Sequence, residues 1–332
     1  ARGGGSPSPG SRRRIRARQA LVGAGVGAAL LVGMVLVSVW RSRQSERFPE
    51  PQAGKPRPLE QMTISWRPPP PEECSVPGLE KGAPQLVPGL EDVDPAWAPT
   101  LTADLCTIVF TALSGPPTGE DLYLATRSDA SEPFGPPRLI EACVSREPER
   151  MPGLSPQGLE LFFVRSYRNP RYFHCTRQSG ADDFGEPVEW SPPGLDLEGK
   201  DFGRMQFFDP LHLKFGLYDR VAEKALHFVA ERAVPAGPFE ASQPLPLSSG
   251  LKAFFAGNTL RQYYGTEEGL FMGGRQELNQ PWSPAMPVVE LDTTGPIERG
   301  VWVAPAEDLV FYSSPGPGKE SDSSKRLWMM RF

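Results

Sequence analysis

The sequence is poor in the residues on which long helices and metal sites depend. Lysine is scarce, and only three histidines occur among the 332 residues. Proline and glycine, which interrupt helices, number 39 and 34, so short strands joined by turns are favoured. The histidines are His174, His212 and His227. They do not cluster in the sequence, which predicts no metal site.

Positive charge is concentrated near the N-terminus. Residues 1–47 carry nine arginines and one acid, whereas the rest of the chain carries 26 basic and 39 acidic residues. The larger, C-terminal part is therefore acidic. An acidic surface repels polyanions, so the charge balance argues against nucleic acid as a partner.

An apolar stretch without charge or proline covers residues 20–40. At a rise of about 1.5 Å per residue, a helix of this length spans the roughly 30 Å hydrocarbon layer of a membrane. A cleaved secretory signal is the alternative, but no small-residue cleavage site precedes the sequence RSR at 41–43. We therefore predict a transmembrane helix that acts as an uncleaved signal anchor.

The segments on either side of this helix predict its orientation. Residues 1–19 are rich in Gly, Ser, Pro and Arg, which predicts a disordered basic tail. Five arginines lie close before the helix and three close after it. This asymmetry predicts a cytoplasmic tail and a periplasmic C-terminal domain. The prolines of residues 41–81 predict an extended linker between membrane and domain.

Residues 82–332 repeat one pattern, in which an alternating strand ends in an arginine and an aromatic residue follows. The first example is DLYLATRSDASEPFGPP at 121–137. The pairs are Arg127 and Phe134, Arg177 and Phe184, Arg232 and Phe239, and Arg275 and Trp282, and Arg331 begins a fifth copy. Each copy holds four short apolar or alternating runs, which is typical of a propeller blade. We therefore predict an all-β fold, a five-bladed β-propeller with four-stranded blades.

The two ends of the repeat region predict how the ring closes. The last copy stops at Phe332, before a fourth strand can form. The segment 82–104 has the layout of 135–157, which joins one copy to the next. Residues 83–88 should therefore supply the fourth strand of the last blade. A ring closed in this way leaves no open strand edge.

The repeat arginines have two interpretations. They could form a ring of guanidinium groups that faces an anionic ligand. Alternatively, each could anchor a turn of its own blade. A group that recurs in every blade favours the structural interpretation, because few ligands have five-fold symmetry. The aromatic partners are likewise expected to lie in the core between blades.

No catalytic residue is predicted. A propeller glycoside hydrolase needs two or three carboxylates on its innermost strands. The innermost strands predicted here are WAPTLT, MPGLS, RMQFF, KAFFA and VWVA, and none holds Asp or Glu. No spacing suggests a nucleophile with its base, and no cofactor motif occurs. The chain is therefore expected not to be an enzyme.

Four cysteines occur, Cys74, Cys106, Cys143 and Cys175. In an exported domain they allow three full pairings. Cys106 and Cys175 fall in predicted strands and are expected to be buried free thiols. Cys74 with Cys143 is the one pairing between two predicted loops.

The segments SPQGLELFFVRS and DLYLATRSDASEPFGPP resemble the TolB-like or WD40-like propeller repeat, which reads Ser-Pro-Asp-Gly, Leu-x-Phe and Asp-Leu-Tyr. The resemblance covers residues 95–332, and FDPL and AGNT replace the turn motif in the third and fourth copies. It implies a propeller fold. In exported bacterial proteins it also implies a binding or scaffolding module.

The order of a basic stretch, one membrane helix and a propeller also resembles the sensor half of bacterial transmembrane Ser/Thr kinases. No kinase motif occurs in this sequence. The leading hypothesis is a membrane-tethered, extracytoplasmic propeller that binds an unknown protein or small ligand of the cell envelope. A kinase sensor and a hydrolase of envelope glycans are the alternatives.

Overall fold

A computed structural model describes most of the C-terminal part of the chain. The described residues are 79–80, 82–113, 119–235, 237–245, 254–255, 261–266, 269–275, 283–284, 286–288, 297, 300–304, 309–316 and 324–331. They belong to the second of two units, which divide between Lys55 and Pro56. The predicted tail and membrane helix lie outside the described residues, as does the linker up to residue 78. No described helix is long and apolar enough to cross a membrane.

Twenty strands form five antiparallel sheets of four strands, as the sequence predicts. Blade 1 contains β2 (Ala96–Leu101), β3 (Thr107–Ala112), β4 (Asp121–Thr126) and β5 (Arg138–Leu139). Blade 2 contains β6 (Glu149–Leu154), β7 (Glu160–Arg165), β8 (Arg171–Thr176) and β9 (Val188–Trp190). Blade 3 contains β10 (Lys200–Asp209), β11 (His212–Asp219), β12 (Lys224–Glu231) and β13 (Ala241–Leu245).

The remaining two blades complete the ring. Blade 4 contains β14 (Phe254–Phe255), β15 (Arg261–Thr266), β16 (Gly269–Gly274) and β17 (Met286–Pro287). Blade 5 contains β18 (Val301–Val303), β19 (Leu309–Ser314), β20 (Arg326–Arg331) and the N-terminal strand β1 (Gln85–Leu86). A single 3-10 helix among the described residues, Glu141–Cys143, lies between blades 1 and 2.

The strands are apolar on both faces because each blade packs between two neighbours. In β7, Leu161 and Phe163 belong to a core cluster shared with blade 1. The alternate residues Phe162 and Val164 belong to a second cluster shared with blade 3. Successive side chains of a strand point to opposite faces, so a continuous apolar run buries both.

The predicted closure of the ring is confirmed. In β1, Gln85 pairs with Met329 and Leu86 with Trp328 of β20. The amide of Val87 then donates to the carbonyl of Leu327 at 3.0 Å. Val87 is fully buried, so this segment adds apolar packing as well as backbone hydrogen bonds.

The prediction that the innermost strands hold no carboxylate is wrong. β6 begins at Glu149, which pairs with Arg165, and β10 includes Asp201, which pairs with Tyr218. Backbone pairing continues beyond the apolar run that marks each strand in the sequence. Polar residues at the end of an inner strand are therefore part of it.

Candidate functional site

Three of the repeat arginines, Arg127, Arg177 and Arg232, bind backbone carbonyls of their own blades. Arg127 Nε donates to the carbonyl of Leu105 at 2.8 Å, and its Nη1 donates to that of Glu132 at 3.1 Å. The guanidinium carbon lies 4.3 Å from the ring centre of Phe134. These contacts join the turn between β2 and β3, the first two strands of the blade, to the segment that follows its third strand, β4.

Two further repeat arginines make the same contacts. The equivalent bonds run from Arg177 to Gly158 and from Arg232 to Pro210, both at 2.7 Å, and the rings beneath are Phe184 and Phe239. Arg275 is buried and Arg331 is partly buried. The sequence-predicted Trp282 lies outside the described residues.

Arg232 also crosses to the neighbouring blade. Its Nη1 and Nη2 donate to the two carboxylate oxygens of Glu160 at the start of β7, with Nη1 at 2.7 Å. His174 Nε2 lies 3.4 Å from the same carboxylate. Burial raises the pKa of Glu160, but the hydrogen bonds from Arg232 and His174 outweigh burial and hold the pKa at about 2. Blades 2 and 3 are therefore joined by a buried ion pair.

A pair of carboxyl groups lies at the seam between blades 1 and 2. Glu149 is fully buried, and its Oε1 accepts from Ser145 Oγ at 2.5 Å and from Arg165 Nε at 2.9 Å. Burial raises the pKa of Glu149, Ser145 lowers it and a hydrogen bond with Asp121 raises it, to about 7. A carboxyl group with such a pKa holds or releases a proton near neutral pH.

Arg150, the residue after Glu149 in β6, connects blade 2 to blade 3. Its guanidinium carbon lies 4.2 Å from the ring centre of Tyr167, whose hydroxyl donates to Glu120. The charge of Arg150 also helps to lower the pKa of Asp201 at the start of β10, after a hydrogen bond from Arg220. One polar surface therefore extends over the same end of blades 1, 2 and 3.

A cleft of about 350 Å³ lies on this surface, between blades 2 and 3. The loop after β7, strands β8 and β9, and the segment that leads into β10 form its walls. Its charged lining residues are four cations, Arg168, Arg171, Lys200 and Arg220, and two acids, Glu189 and Glu198. Trp190 also lines it. Cations therefore outnumber acids here, although the chain outside residues 1–47 is acidic.

Most of the cations in the cleft are paired. Arg171 binds Glu189 at 2.6 Å, and Lys200 binds Asp219 at 2.9 Å. Arg220 binds Asp201. Arg168 is exposed and forms no ion pair with any residue that the structure describes. Its guanidinium group is therefore available to a ligand.

Trp190 forms the apolar part of the cleft. Its ring packs edge-on against Phe162, with 5.2 Å between ring centres, and against Phe215 at 5.7 Å. The indole remains partly exposed. Aromatic neighbours hold the ring in place, so its exposed part is a rigid surface.

A second cleft, of about 360 Å³, lies between the outer strand of blade 1 and a turn of blade 2. Arg138 and Asp183 bind each other across it. The other charged residues of its wall are Glu141 and Glu186. This cleft therefore lacks a cation that is free for a ligand.

Arg204 of β10 reaches across the ring of innermost strands. It donates to the carbonyl of Val301 in β18 at 2.8 Å and to that of Pro99 in β2. Burial lowers the pKa of Arg204 to about 10. Burial and the charge of Arg204 also lower the pKa of Lys214 well below its usual value. Arg204 therefore connects the innermost strands of three blades.

The histidines do not form a metal site. His212 Nδ1 lies 2.8 Å from Asp209, His174 stacks on Phe162, and His227 is buried in β12. Within the described ranges, no group of three or more potential ligands could hold a metal ion.

Of the two cysteines predicted to be buried in strands, Cys175 lies buried in β8, whereas the prediction for Cys106 is wrong. Cys106 precedes β3 rather than lying in a strand, and it is partly exposed. Cys143 and Cys175 are buried, and their sulfur atoms are 3.7 Å apart. Cys74 lies outside the described residues, so its pairing with Cys143 stays a prediction.

Neither the cleft nor the carboxyl pair is among the site residues expected from the sequence. The basic segment RSYRNPR at 165–171 contains Arg168, and this segment is the one sequence signal for the cleft. Glu149 lies two residues before the apolar run MPGLS that marks its strand. Sequence patterns gave no reason to place it beside Asp121.

Of the comparisons with known proteins, the one with solved structures found matches. No family model and no curated protein matches the sequence. Among solved structures, TolB from Acinetobacter baumannii has a TM-score of 0.43 and 13% identity over 71% of this chain and 54% of its own. This chain thus spans about half the length of TolB. A GH62 hydrolase in complex with xylotriose has a TM-score of 0.48 and 10% identity over 73% of this chain and 94% of its own.

Peptidases are also among the similar structures. A puromycin-hydrolysing peptidase of Mycobacterium tuberculosis has a TM-score of 0.37 and 14% identity over 68% of this chain and 35% of its own. The prediction that the chain is not an enzyme is therefore corrected, since hydrolases are among the proteins of similar fold. The resemblance to TolB-like propellers is confirmed at the level of the fold: the chain is a five-bladed β-propeller closed by its N-terminal strand.

Proposed function

We propose that the propeller is a ligand-binding domain, and that its ligand is an acidic oligosaccharide bound in the cleft between blades 2 and 3. The observation that carries this proposal is the free cation of Arg168 beside the rigid indole of Trp190. The cleft has the volume of a small-ligand site, and polar and charged side chains form most of its lining.

The two side chains suit different parts of such a ligand. A guanidinium group presents a planar pair of donors that matches a carboxylate. The exposed part of Trp190 matches the apolar face of a sugar ring. Neutral sugars lack the carboxylate, and nucleic acids are disfavoured by the acidic remainder of the domain.

Binding of a uronic acid oligomer tests this function. We expect hexagalacturonate to bind the full chain and neutral xylohexaose to bind at least about tenfold more weakly, because a charge-assisted hydrogen bond contributes roughly 1.5–3 kcal/mol. Isothermal titration calorimetry measures both. Arg168→Ala should weaken hexagalacturonate binding about tenfold.

The matched control is Arg138→Ala, which removes an arginine from the second cleft. Its affinity for hexagalacturonate should equal that of the wild type. Failure of the wild-type chain to bind any carboxylated oligomer contradicts the proposal. Equal losses of hexagalacturonate affinity in Arg168→Ala and Arg138→Ala contradict the assignment of the ligand to the cleft between blades 2 and 3.

We further propose that residues 20–40 tether this domain to a membrane, with the propeller on the extracytoplasmic side. The support is the uncharged sequence of this stretch and the excess of arginine before it. Protease added to sealed inverted vesicles should leave residues 82–332 intact. Digestion of the propeller from the cytoplasmic side contradicts this orientation.

Glycan hydrolysis is a second candidate function. The specific observation is the Glu149 carboxyl, whose pKa of about 7 suits a general acid and which a hydrogen bond joins to Asp121 at the seam between blades 1 and 2. Glu149 is fully buried in the free chain. The role therefore requires that a bound substrate open the seam between blades 1 and 2.

Release of reducing ends from hexagalacturonate and xylohexaose tests this candidate. Activity should be present in the wild type and reduced at least about a hundredfold in Glu149→Gln, because a positioned acid contributes that much. Unchanged activity in Glu149→Gln excludes this residue as the acid. Binding without product release excludes hydrolysis and leaves the binding function intact.

A further inference from the structure

Two buried cysteines meet at the seam between blades 1 and 2. Cys143 ends the 3-10 helix that follows β5, and Cys175 lies in β8. Their sulfur atoms are 3.7 Å apart. The side chains are 1% and 2% exposed. The two thiols thus touch each other and are shielded from solvent.

We propose that Cys143 and Cys175 form a disulfide when the chain folds in an oxidising compartment. The bond would join the connection after blade 1 to the third strand of blade 2. A disulfide has a sulfur separation of about 2.05 Å, so the two side chains together must close a gap of about 1.7 Å. From the sequence, Cys175 is expected to be a free thiol, and Cys74 with Cys143 is the one pairing between predicted loops.

The surroundings of the pair favour this bond. The Cys143 carbonyl accepts a hydrogen bond from Arg165 Nη2 at 2.9 Å, which holds the connection against blade 2. The Cys175 sulfur lies 3.7 Å from the carbonyl of Leu161 on the adjacent strand. Both backbones are therefore fixed where the sulfurs meet.

The oxidation is a two-electron thiol–disulfide exchange. One thiolate attacks the disulfide of an oxidant, such as oxidised glutathione or an oxidoreductase, and displaces one thiol from it. The second thiolate then attacks the mixed disulfide and releases the other thiol. The protein loses two protons and two electrons, and the oxidant is reduced to two thiols.

Burial determines when this exchange occurs. The Cys175 thiol and burial raise the pKa of Cys143 far above its ordinary value, so the folded chain contains little thiolate there. Exchange therefore takes place while blades 1 and 2 are still assembling. Once the ring is closed, the same burial protects the bond from reductants.

Peptide mapping of the full chain tests the proposal directly. The chain is refolded in a mixture of reduced and oxidised glutathione, alkylated and digested with trypsin without reduction. We expect mass spectrometry to find residues 139–146 linked to residues 172–177. Free alkylated thiols in both peptides, or a link between Cys143 and Cys74, overturn the proposal.

Thermal stability gives a second measurement. The wild type should melt roughly 5–10 °C higher when oxidised than when reduced, since the bond closes a loop of about 30 residues. Cys143→Ser should melt at one temperature under both conditions, and Cys106→Ser should behave as the wild type. If the melting temperatures of oxidised and reduced Cys143→Ser still differ, the disulfide between Cys143 and Cys175 is not the cause of the difference. If this variant does not fold, the peptide map of the wild type decides.

Discussion

Several buried charged groups in the described part of the chain bind partners within the protein. Arg232 binds both oxygens of Glu160 and also the carbonyl of Pro210. Each repeat arginine with described contacts binds carbonyls and covers an aromatic ring. A guanidinium group with five donors can satisfy several buried acceptors at once, which a lysine cannot.

Removing one partner of the buried ion pair should destabilise the fold strongly. We expect Arg232→Met to lower the free energy of unfolding by about 3–5 kcal/mol, because Glu160 is left buried without its cation. Urea unfolding followed by fluorescence measures this change. The control is Arg138→Met, whose partner Asp183 is 80% exposed, and it should cost less than about 1 kcal/mol. Equal losses of unfolding free energy in Arg232→Met and Arg138→Met contradict a stabilising role for the buried ion pair.

The stability should depend on pH through Glu149. Its pKa is raised from 4.5 to about 7 in the folded chain. Between these values the unfolded chain has lost this proton and the folded chain retains it, so stability falls as the pH rises from about 4.5 to 7. Glu149→Gln removes this contribution, and the variant should gain stability relative to the wild type over that range.

Denaturant midpoints at pH 4.5, 6 and 8 measure the effect of Glu149→Gln. We expect the difference in denaturant midpoint between the wild type and Glu149→Gln to change between pH 4.5 and pH 6. It should level off above pH 7. A constant difference across the three values shows that the Glu149 pKa is not raised. Asp121→Asn, which removes the partner of Glu149, should shift the range to lower pH.

The strands form because their apolar runs are buried on two sides, and the turns between them hold the blades in register. β1 is only two residues long, yet it completes blade 5. Its effect depends on the segment after it, where Val87 and Leu90 are fully buried. The closing element is therefore the whole N-terminal segment and not the paired strand alone.

Deletion of residues 80–92 should destabilise the propeller far more than deletion of residues 48–60. The first deletion removes the fourth strand of blade 5 and the buried side chains beside it, whereas the second shortens the predicted linker. Calorimetry should show a fall in melting temperature of roughly 10 °C or more for the first. Equal melting temperatures contradict this role of the closing segment.

The substitution Gly89→Ala tests the packing of the closing segment without a deletion. Gly89 has a φ of +85°, and an added Cβ would lie 2.0 Å from the carbonyl oxygen of Phe134. Gly119 has a φ of +81° and no described atom within 4 Å of that position. Gly89→Ala and Gly119→Ala both place an alanine at positive φ, which costs about 1 kcal/mol of backbone strain. Only Gly89→Ala should add a steric cost, of roughly 1–3 kcal/mol. Equal unfolding energies contradict the close approach.

The blades could be predicted from the sequence because their signals are local. The alternating run LELFFVR predicts β7, and the aromatic spacing after Arg127 predicts the turn that follows β4. The ends of the inner strands could not be predicted in this way. Glu149 belongs to β6 through its pairing with Arg165, which no pattern in its own segment indicates.

The functional surface is a property of the whole ring. The cleft combines the loop after β7 with the segment that leads into β10, which meet only because blades 2 and 3 are neighbours. The sequence predicts the order of the blades but not which loop side chains converge. Arg168 and Trp190 are 22 positions apart in the sequence, and the fold brings them to one cleft.

The central claim is that this cleft binds an acidic oligosaccharide. Amide hydrogen exchange of the full chain with and without hexagalacturonate tests it most directly. We expect the ligand to slow exchange in residues 166–171 and 197–202 and to leave residues 138–142, at the second cleft, unchanged. Protection confined to residues 138–142, or no protection in either segment at saturating ligand, would contradict the claim.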